Sequence, residues 1–340
     1  MNKSNEPTPQ LFFDTINAYQ RSAALQSAIE VGLFTSIGKG NVTAAAIAAD
    51  CKIAPRGARI LADYLSLSGF LAKAGGRYSL TPDSAAFLDK ASKSYLGGAV
   101  EFLRSVHLRA RFDDLTAAVR RGGAASGAGD DDVLAPDHDA WVRFARGMAS
   151  IMYTPAQELA KLVLASNPNG EIRVLDVAAG HGMFGIAVAT QNPHVRVVFT
   201  DWGNVLAVAR ENAKAAGVLD RCEFRPGSAF DVDLGHDYDA VLLTNILHHF
   251  DAPTNTGLLR RVHAALKPGG RALAVEFVPN DDRLAPPPSA AFALTMLATT
   301  PAGDAYTFAE YQPMFRDAGF TRVECANLAN TMEQVVTAYR

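Results

Sequence analysis

The second half of the chain alternates between short β-rich runs and helical runs, and no other feature constrains the fold as strongly. From Glu171 onward the β-rich runs read IRVLDVAA, RVVFTD, CEFRPG, YDAVLLTNIL and GRALAVEFVP, and segments of helical periodicity separate them. Such alternation predicts a parallel sheet with helices on both faces. Two further β runs in GFTRVECANLANTMEQVVTAYR predict an antiparallel pair at one side of the sheet. The expected fold is therefore a doubly wound, mostly parallel seven-stranded α/β domain.

The first hundred residues have a mainly helical pattern instead. Apolar residues fall near one face of a helix predicted over residues 11–31, namely Phe12, Ile16, Tyr19, Ala23 and Ile29. Thr43 is expected to cap the helix AAAIAAD, and Pro55 to begin the next one. Two short strands around Gly75 and Gly76 follow. Helices followed by a glycine-turned hairpin have the outline of a winged helix.

A winged helix either binds DNA or serves as a helical platform for dimerisation. Arg56, Arg59 and Arg77 are the main support for DNA binding, and Asp63 on the same helix opposes it. The whole chain has 32 Lys+Arg against 35 Asp+Glu, a net charge of −3, whereas nucleic-acid-binding domains are usually basic. We therefore predict no nucleic-acid partner, and a dimerisation role for the apolar first helix.

Three segments are predicted along the chain. They are a winged-helix dimerisation domain (1–105), connecting helices with a glycine-rich loop at 122–132 (106–165), and a cofactor-binding catalytic domain (166–340). Cys51, Cys222 and Cys325 lie far apart, without the spacing of a disulfide framework or a zinc site. The polar start resembles no signal peptide, and no apolar run approaches the ~18 residues of a membrane span. We expect a cytoplasmic protein without a membrane partner.

A glycine-rich turn, VLDVAAGHGMFG at 174–185, follows the first β-rich run. Gly180, Gly182 and Gly185 match the G-x-G-x-x-G pattern of dinucleotide sites. Asp176, four residues before the first glycine, would oppose a pyrophosphate and favour a cation. S-adenosylmethionine has a sulfonium and an ammonium group but no phosphate. We predict that Asp176, Gly180 and Gly182 hold its amino-acid end, with a nicotinamide dehydrogenase as the weaker alternative.

Further cofactor contacts are expected where the next two strands end. Asp201 ends RVVFTD, and a carboxylate there can accept both ribose hydroxyls of an adenosyl group. Trp202 is either an adenine contact or an ordinary half-buried aromatic side chain. The third strand ends in FRPGSAFD, which is predicted to bring three residues near the adenine edge, namely Ser228, Ala229 and Phe230.

The segment YDAVLLTNILHHFDAP places Asn245, His248 and His249 just after a β-rich run, where doubly wound sheets bind their ligands. Histidine, with an ordinary pKa of ~6.5, can accept a proton near neutral pH, so His248 is the predicted general base. Glu276, in the apolar run RALAVEFVPND, needs a partner and would orient the imidazole. A purely structural ion pair is the alternative. A metal site of His248, His249 and Asp251 is poorly spaced, so no metal is predicted.

Together these motifs resemble the S-adenosylmethionine-dependent O-methyltransferases that have an N-terminal winged-helix dimerisation domain and act on phenolic and natural-product substrates. The resemblance covers nearly the whole chain. It implies a Rossmann-like methyltransferase fold, S-adenosylmethionine as methyl donor with S-adenosylhomocysteine as product, no metal, and a homodimer formed through the N-terminal helices.

The catalytic residues of that family can be placed on this sequence. Its proton-accepting histidine, in the segment L-H-D-W, falls on His248, with His249 and Phe250 in place of Asp and Trp. Its orienting glutamate falls on Glu276. A second glutamate, present in plant members, falls near Ala305 and is missing here.

The family's binding residues match less completely. Its glycine motif VDVGGGTG reads LDVAAGHG here, and the acid often found after the third strand is Ser228. Its pocket methionines fall on Met148, assigned to the acceptor, and Met152, assigned to the cofactor together with Asn245.

The acceptor is expected to be a small, flat, apolar aromatic compound. The apolar helix predicted within 286–308 places Phe292 and Met296 on one face, and His249 is the polar candidate for substrate contact. The predicted reaction is methyl transfer to a phenolic or enolic hydroxyl. Carbon or nitrogen methylation, a non-methyltransferase that retains the cofactor, and a winged-helix regulator that senses a small molecule are the alternatives.

Overall fold

The computed structural model describes residues 7–125, 139–165 and 167–340, which form two compact units divided between Val100 and Glu101. The helices predicted as a connector, 106–165, belong to the second unit as far as they are described. Part of the predicted glycine-rich loop, residues 126–132, lies outside the described residues. Among the helices described, none has both the length and the apolar content that a bilayer crossing needs.

The first unit is a group of short helices with one two-stranded hairpin. Its elements are α1 (Gln10–Ile16), α2 (Ala18–Glu30), α3 (Leu33–Gly38), α4 (Ala44–Cys51), α5 (Pro55–Leu67), β1 (Leu71–Ala74), β2 (Arg77–Leu80) and α6 (Pro82–Phe87). Strands β1 and β2 pair antiparallel across a turn at Gly75 and Gly76, both of which have positive φ. The helices and hairpin predicted from the sequence are therefore present.

Local chemistry explains most of these boundaries. The Thr43 hydroxyl accepts the backbone N–H of Ala46 at the start of α4, and Pro55 is the first residue of α5. The prediction of one continuous helix over 11–31 was wrong, because the chain breaks at Asn17 between α1 and α2. The apolar spacing continues across that break, which is why periodicity alone did not reveal it. The core of the unit includes Leu33 and Phe34.

The second unit begins with helices and continues as an α/β sheet. Its helices are α7 (Val100–Leu103, which starts at the boundary), α8 (Val106–Asp113), α9 (Leu115–Arg121), α10 (Asp139–Met148), α11 (Tyr153–Leu164), α12 (Met183–Gln191), α13 (Gly203–Ala215), α14 (Ala252–Ala265), α15 (Pro287–Thr299) and α16 (Phe308–Asp317). Its strands are β3 (Ile172–Val177), β4 (Val195–Asp201), β5 (Cys222–Pro226), β6 (Tyr238–Thr244), β7 (Leu266–Glu276), β8 (Arg322–Asn327) and β9 (Gln334–Tyr339).

The seven strands form one sheet in the order β5-β4-β3-β6-β7-β9-β8. All neighbours from β5 to β7 pair parallel, whereas β9 runs antiparallel to both β7 and β8. Apolar side chains on both faces of the sheet form two large buried clusters. The strand order reverses between β3 and β6, and open α/β sheets bind ligands outside the carboxyl ends of the strands at such a switch point. The predicted site residues follow these strand ends.

Candidate active site

The buried pair His248–Glu276 lies at the carboxyl end of the sheet. His248 belongs to a single 3₁₀ turn, Leu247–His249, after β6, and Glu276 is the last residue of β7. His248 Nδ1 lies 2.5 Å from Glu276 Oε2, and the Glu276 side chain is fully buried. The other carboxylate oxygen, Oε1, accepts the backbone N–H groups of Ile246 at 3.0 Å and Leu247 at 2.8 Å.

This arrangement determines which nitrogen of the imidazole can act as a base. The Glu276 carboxylate only accepts hydrogen bonds, so in the neutral ring the proton is on Nδ1 of His248. Nε2 then has the free lone pair. The predicted orienting role therefore has the geometry that it requires, and Nε2 is the atom able to accept a proton.

The glycine-rich turn between β3 and α12 surrounds a second buried carboxylate, Asp176. Its Oδ2 accepts the Gly185 N–H at 3.0 Å, while Oδ1 is buried and has no hydrogen-bond partner among the described residues. Gly180 and Gly182 both have positive φ, and a side chain at Gly182 would collide with Ala209. The turn therefore requires these glycines, and it leaves one oxygen of Asp176 available to a ligand.

Burial raises the pKa of two acids at this end of the sheet, Asp176 and Asp201. It raises the pKa of Asp176 to about 8, and the nearby charge of Asp201 adds to the effect, while the Gly185 N–H opposes it. Burial also raises the pKa of Asp201 to about 6, against the stabilising N–H groups of Gly180 and Trp202. Without a cation beside it, Asp176 is therefore mostly a neutral acid at pH 7.

Asp201 and the segment after β5 lie side by side. Asp201 Oδ2 accepts the Gly180 N–H at 2.8 Å, and Oδ1 accepts the Trp202 N–H at 2.7 Å. The carbonyl of Asp201 accepts the N–H of Gly227, directly before the predicted residues Ser228 and Ala229. The chain thus brings Asp201 to the end of β3 and next to the end of β5.

The remaining predicted cofactor residues follow the same edge. Phe230 packs edge-to-face on Phe250, with ring centroids 4.9 Å apart. Asn245, with a φ of 55°, donates from Nδ2 to the sulfur of Met152 at 3.5 Å. In the part of the chain that the structure describes, its Oδ1 is buried without a partner. A non-glycine residue in this backbone region is strained, and such strain is common at functional sites.

Two predicted acceptor residues contact the ring of His248, namely His249, with centroids 4.4 Å apart, and Phe292 from α15. The Phe292 ring packs edge-to-face on His248 at 4.9 Å and stacks on Phe277 at 4.3 Å. Met296 is buried one turn later in the same helix. Met148 ends α10 and packs against the core cluster that includes Met152. Phe277 was not predicted, because its strand pattern indicated only core.

The loop between α15 and α16 packs against the backbone of the turn that contains His248. A Cβ on Gly303 would overlap the backbone carbonyl oxygen of His248, and Tyr306 donates from its hydroxyl to the Phe250 carbonyl at 2.7 Å. Ala305, where the second glutamate is missing, is fully buried in this loop. The neighbouring Asp304 faces Arg283 at 3.4 Å, so it does not replace that glutamate next to His248.

In the first unit, one of the three arginines that suggested DNA binding, Arg59, has an acidic partner within the unit. Arg59, Lys73 and the Tyr78 hydroxyl all contact the Asp63 carboxylate. The Lys73 bond above all lowers the pKa of Asp63. In the described part of the chain, no three His, Cys, Asp or Glu side chains are grouped as metal ligands. Asp251, weighed as a ligand, instead caps α14 through the Thr254 N–H.

A cleft of about 690 Å³ lies elsewhere in the second unit, beyond the end of β7. It is lined by residues after β7, at the start of α15 and on α16 and β8, including Asn280, Phe308, Gln312 and Cys325. No predicted site residue lines it. Asp176, His248 and Glu276 instead lie toward the carboxyl ends of the neighbouring strands β3, β6 and β7, and this edge of the sheet is the candidate active site.

Comparison with known proteins finds similar sequences and structures over most of the chain. A model of an O-methyltransferase domain matches residues 112–321, and a model of an O-methyltransferase dimerisation domain matches residues 13–90. A 3-hydroxy-5-methyl-1-naphthoate 3-O-methyltransferase of Streptomyces sahachiroi is 32% identical over 327 residues, which are 95% of this chain and 92% of the relative.

Two further comparisons describe the range of similar proteins. An N,N-dimethyltransferase of Streptomyces rimosus is 31% identical over 263 residues, 76% of this chain and 75% of the relative. The crystal structure of a candidate O-methyltransferase from Nostoc punctiforme has a TM-score of 0.93 and 49% identity, and the match covers 99% of this chain and 100% of that one.

Proposed function

The chain belongs to the S-adenosylmethionine-dependent O-methyltransferases that have an N-terminal dimerisation domain, and from this premise we propose that it methylates a hydroxyl of a small aromatic natural product, with His248 as the base. The observation that carries the proposal is the 2.5 Å contact between His248 Nδ1 and Glu276 Oε2. It leaves Nε2 as the basic atom of a buried ring at the carboxyl edge of the sheet.

The residues around the glycine-rich turn fit the cofactor. S-adenosylmethionine, when bound, supplies a methyl carbon attached to a positively charged sulfur, together with an ammonium group. The orphan oxygen of buried Asp176 suits a cation, and the open side of Gly180 leaves room for the amino-acid end. Asp201 would accept the ribose hydroxyls, with adenine near Trp202 and the segment 228–230. Asn245 and Met152 would provide the remaining contacts to the cofactor.

His248 would accept the proton of the acceptor hydroxyl at Nε2, because an oxygen is a far better nucleophile once that proton leaves. Glu276 holds the ring in one orientation and stabilises the imidazolium that forms. Phe292, against the same ring, would present a flat apolar surface to the acceptor, and Met148, Met296 and His249 would complete the pocket. Holding the acceptor oxygen in line with the methyl group is the second contribution of the pocket.

Carbon or nitrogen methylation is the main alternative, and the similarity to an N,N-dimethyltransferase keeps it open. The missing carboxylate at Ala305 also separates this chain from members of the family that have two glutamates near the histidine. Identification of the methylated atom in the product distinguishes these reactions, since all of them would use the same cofactor site.

We also propose a homodimer formed through the N-terminal helices. The dimerisation-domain match supports it, and so does α1, in which no residue is buried. Five large apolar side chains of α1 and the start of α2 are more than half exposed, namely Leu11, Phe12, Phe13, Ile16 and Tyr19. An apolar face of this size indicates a protein partner, and a second copy of the chain is the one that the family suggests.

Replacement of His248 tests the proposed base. We expect His248→Ala to leave the affinity for S-adenosylhomocysteine nearly unchanged and to reduce kcat on hydroxylated naphthoates, the acceptor class of one relative, by about two or more decades. Affinity is measured by calorimetric titration, and turnover with a labelled methyl donor. His194→Ala, an exposed histidine at the opposite edge of the sheet, is the matched control and should behave as wild type.

Since the His248 variant leaves Glu276 buried without its ring partner, thermal unfolding must be measured alongside it. Unchanged turnover in a folded His248→Ala protein would remove this histidine from the mechanism. Loss of both turnover and cofactor affinity would instead indicate a structural role for the pair.

A further inference from the structure

Two polar atoms beside His248 are buried and lack a hydrogen-bond partner among the residues that the structure describes. They are Nε1 of Trp141, on α10, and Nδ1 of His249. Buried polar atoms in proteins are nearly always paired, with protein groups or with ordered water. The reaction proposed above uses neither atom, so both can form a hydrogen bond with a further group.

The two rings lie next to each other and next to the base. The ring centroids of Trp141 and His249 are 5.9 Å apart, with an interplanar angle of 89°. The centroid of His249 is in turn only 4.4 Å from that of His248. Trp141 is held in place by an edge-to-face contact with Phe144 and by packing near Trp202. A group that forms hydrogen bonds with both Trp141 and His249 would therefore lie close to an acceptor held at His248.

The charge of the pair limits what it can bind. The indole N–H of Trp141 only donates a hydrogen bond. Burial, with a smaller contribution from His248, lowers the pKa of His249 well below its ordinary value, so its imidazole is neutral at pH 7. A neutral donor beside a neutral imidazole suits an uncharged oxygen, and a hydroxyl can both accept from the indole and donate to a ring nitrogen. A carboxylate would be buried there without a counter-charge, which is costly.

We propose that Trp141 and His249 bind a second, uncharged oxygen of the acceptor, so that the preferred acceptor has a hydroxyl or carbonyl adjacent to the hydroxyl that is methylated. This inference rests on the proposed function, because the position of the second oxygen is defined relative to His248. It makes Trp141 a specificity-determining residue. No sequence pattern pointed to it, since a lone tryptophan on an amphipathic helix indicates only core.

The test compares naphthols that differ at one ring position, 2,3-dihydroxynaphthalene and 2-naphthol, with 3-hydroxy-2-naphthoate as the charged analogue. Their dissociation constants are measured on protein saturated with S-adenosylhomocysteine, so that binding is read independently of turnover. Wild type should bind the diol about tenfold more tightly than 2-naphthol, as expected for a net gain of one hydrogen bond, and should not favour the carboxylate.

In Trp141→Phe and His249→Phe the preference for the diol over 2-naphthol should fall to the statistical advantage of two equivalent hydroxyls. His263→Phe replaces another partly buried histidine, which packs on Phe320, and should keep the full preference. Equal affinities in wild type, no measurable binding of either naphthol, or an unchanged preference in both variants would overturn the proposal. If wild type prefers the diol but methylates no hydroxyl, the role of Trp141 and His249 in binding is supported and the proposed reaction is wrong.

Discussion

Two buried carboxylates at one edge of the sheet differ in how many hydrogen bonds they accept. Glu276 accepts from the His248 ring and from two backbone N–H groups, so its charge is compensated by the protein. From the residues that the structure describes, Asp176 accepts only the Gly185 N–H, and its other oxygen has no partner there. The same side-chain chemistry therefore serves two purposes, because one acid is paired within the fold and the other becomes paired only when a cation binds.

This difference predicts that the cofactor displaces a proton. The pKa of Asp176 is about 8 without ligand, and a bound ammonium group favours the charged form and lowers it. Binding of S-adenosylhomocysteine near pH 7 should therefore release on the order of one proton, and affinity should rise with pH until about pH 8. Calorimetric titrations in two buffers of different ionisation enthalpy measure the number of protons released.

Asp176→Asn is the informative comparison, because the amide keeps the shape but cannot titrate. It should bind more weakly and release almost no proton. Asp201, whose pKa is about 6, is already mostly ionised near pH 7 and contributes little. An equal release by wild type and Asp176→Asn would show that the proton comes from another group.

Much of the site could be predicted at the residue scale, and the reason is chemical. A carboxylate in an apolar strand needs a partner, and this need alone predicted the pairing of Glu276 with a nearby histidine. Trp141 carried no such signal, because its contact with His249 joins residues more than a hundred positions apart. The sequence also could not show whether the neighbouring Asp304 replaces the glutamate that is missing at Ala305. The fold shows that it does not, because Asp304 faces Arg283 instead of the histidine.

At the scale of elements, the position of His248 depends on the loop between α15 and α16. Gly303 lies so close to the His248 backbone that a Cβ there would overlap its carbonyl oxygen and approach Thr300 Oγ1 to 2.6 Å. The Gly303 N–H also donates to that hydroxyl at 2.9 Å. The loop therefore acts as a support that fixes the turn holding the base, although it contributes no catalytic group.

Gly303→Ala should consequently displace the turn that holds His248. We expect kcat/KM to fall by about 10- to 100-fold, because small misplacements of a catalytic group are costly, and the free energy of unfolding to fall by about 1–3 kcal/mol. Affinity for S-adenosylhomocysteine should persist. Gly257→Ala is the control, since no atom lies near its added Cβ and alanine favours helix α14. Wild-type turnover in a Gly303→Ala protein would contradict the supporting role.

Elements were predicted best where a local signal marked them. The Thr43 cap, the proline at the start of α5 and the turn at Gly75–Gly76 each correspond to an observed boundary. The alternation of strands and helices likewise predicted the parallel sheet, because it requires crossover connections. The break at Asn17 was missed, since apolar residues keep helical spacing on both sides of it. Its side chain donates back to the Phe13 carbonyl, a contact that the spacing does not reveal.

At the scale of the whole molecule, the exposure of the apolar helix α1 has no explanation within a single chain. No residue of α1 is buried, although its sequence, QLFFDTI, is mostly apolar. Burial of exposed aromatic side chains such as Phe12 and Phe13 against another surface would be favourable, so this helix is suited to contact with a protein partner. Association of two copies would cover this face without any change in the fold of either unit.

Disruption of this face should therefore separate the copies. Light scattering after size-exclusion chromatography should give twice the chain mass for wild type, and a shift toward the chain mass for Phe12→Ser combined with Ile16→Ser. The melting temperature of wild type should rise with protein concentration, because association stabilises the folded chain by mass action. Met332→Gln, an exposed apolar residue of the second unit, should leave the mass unchanged. A wild-type mass of one chain, or a double variant that stays dimeric, would place the partner of this face elsewhere.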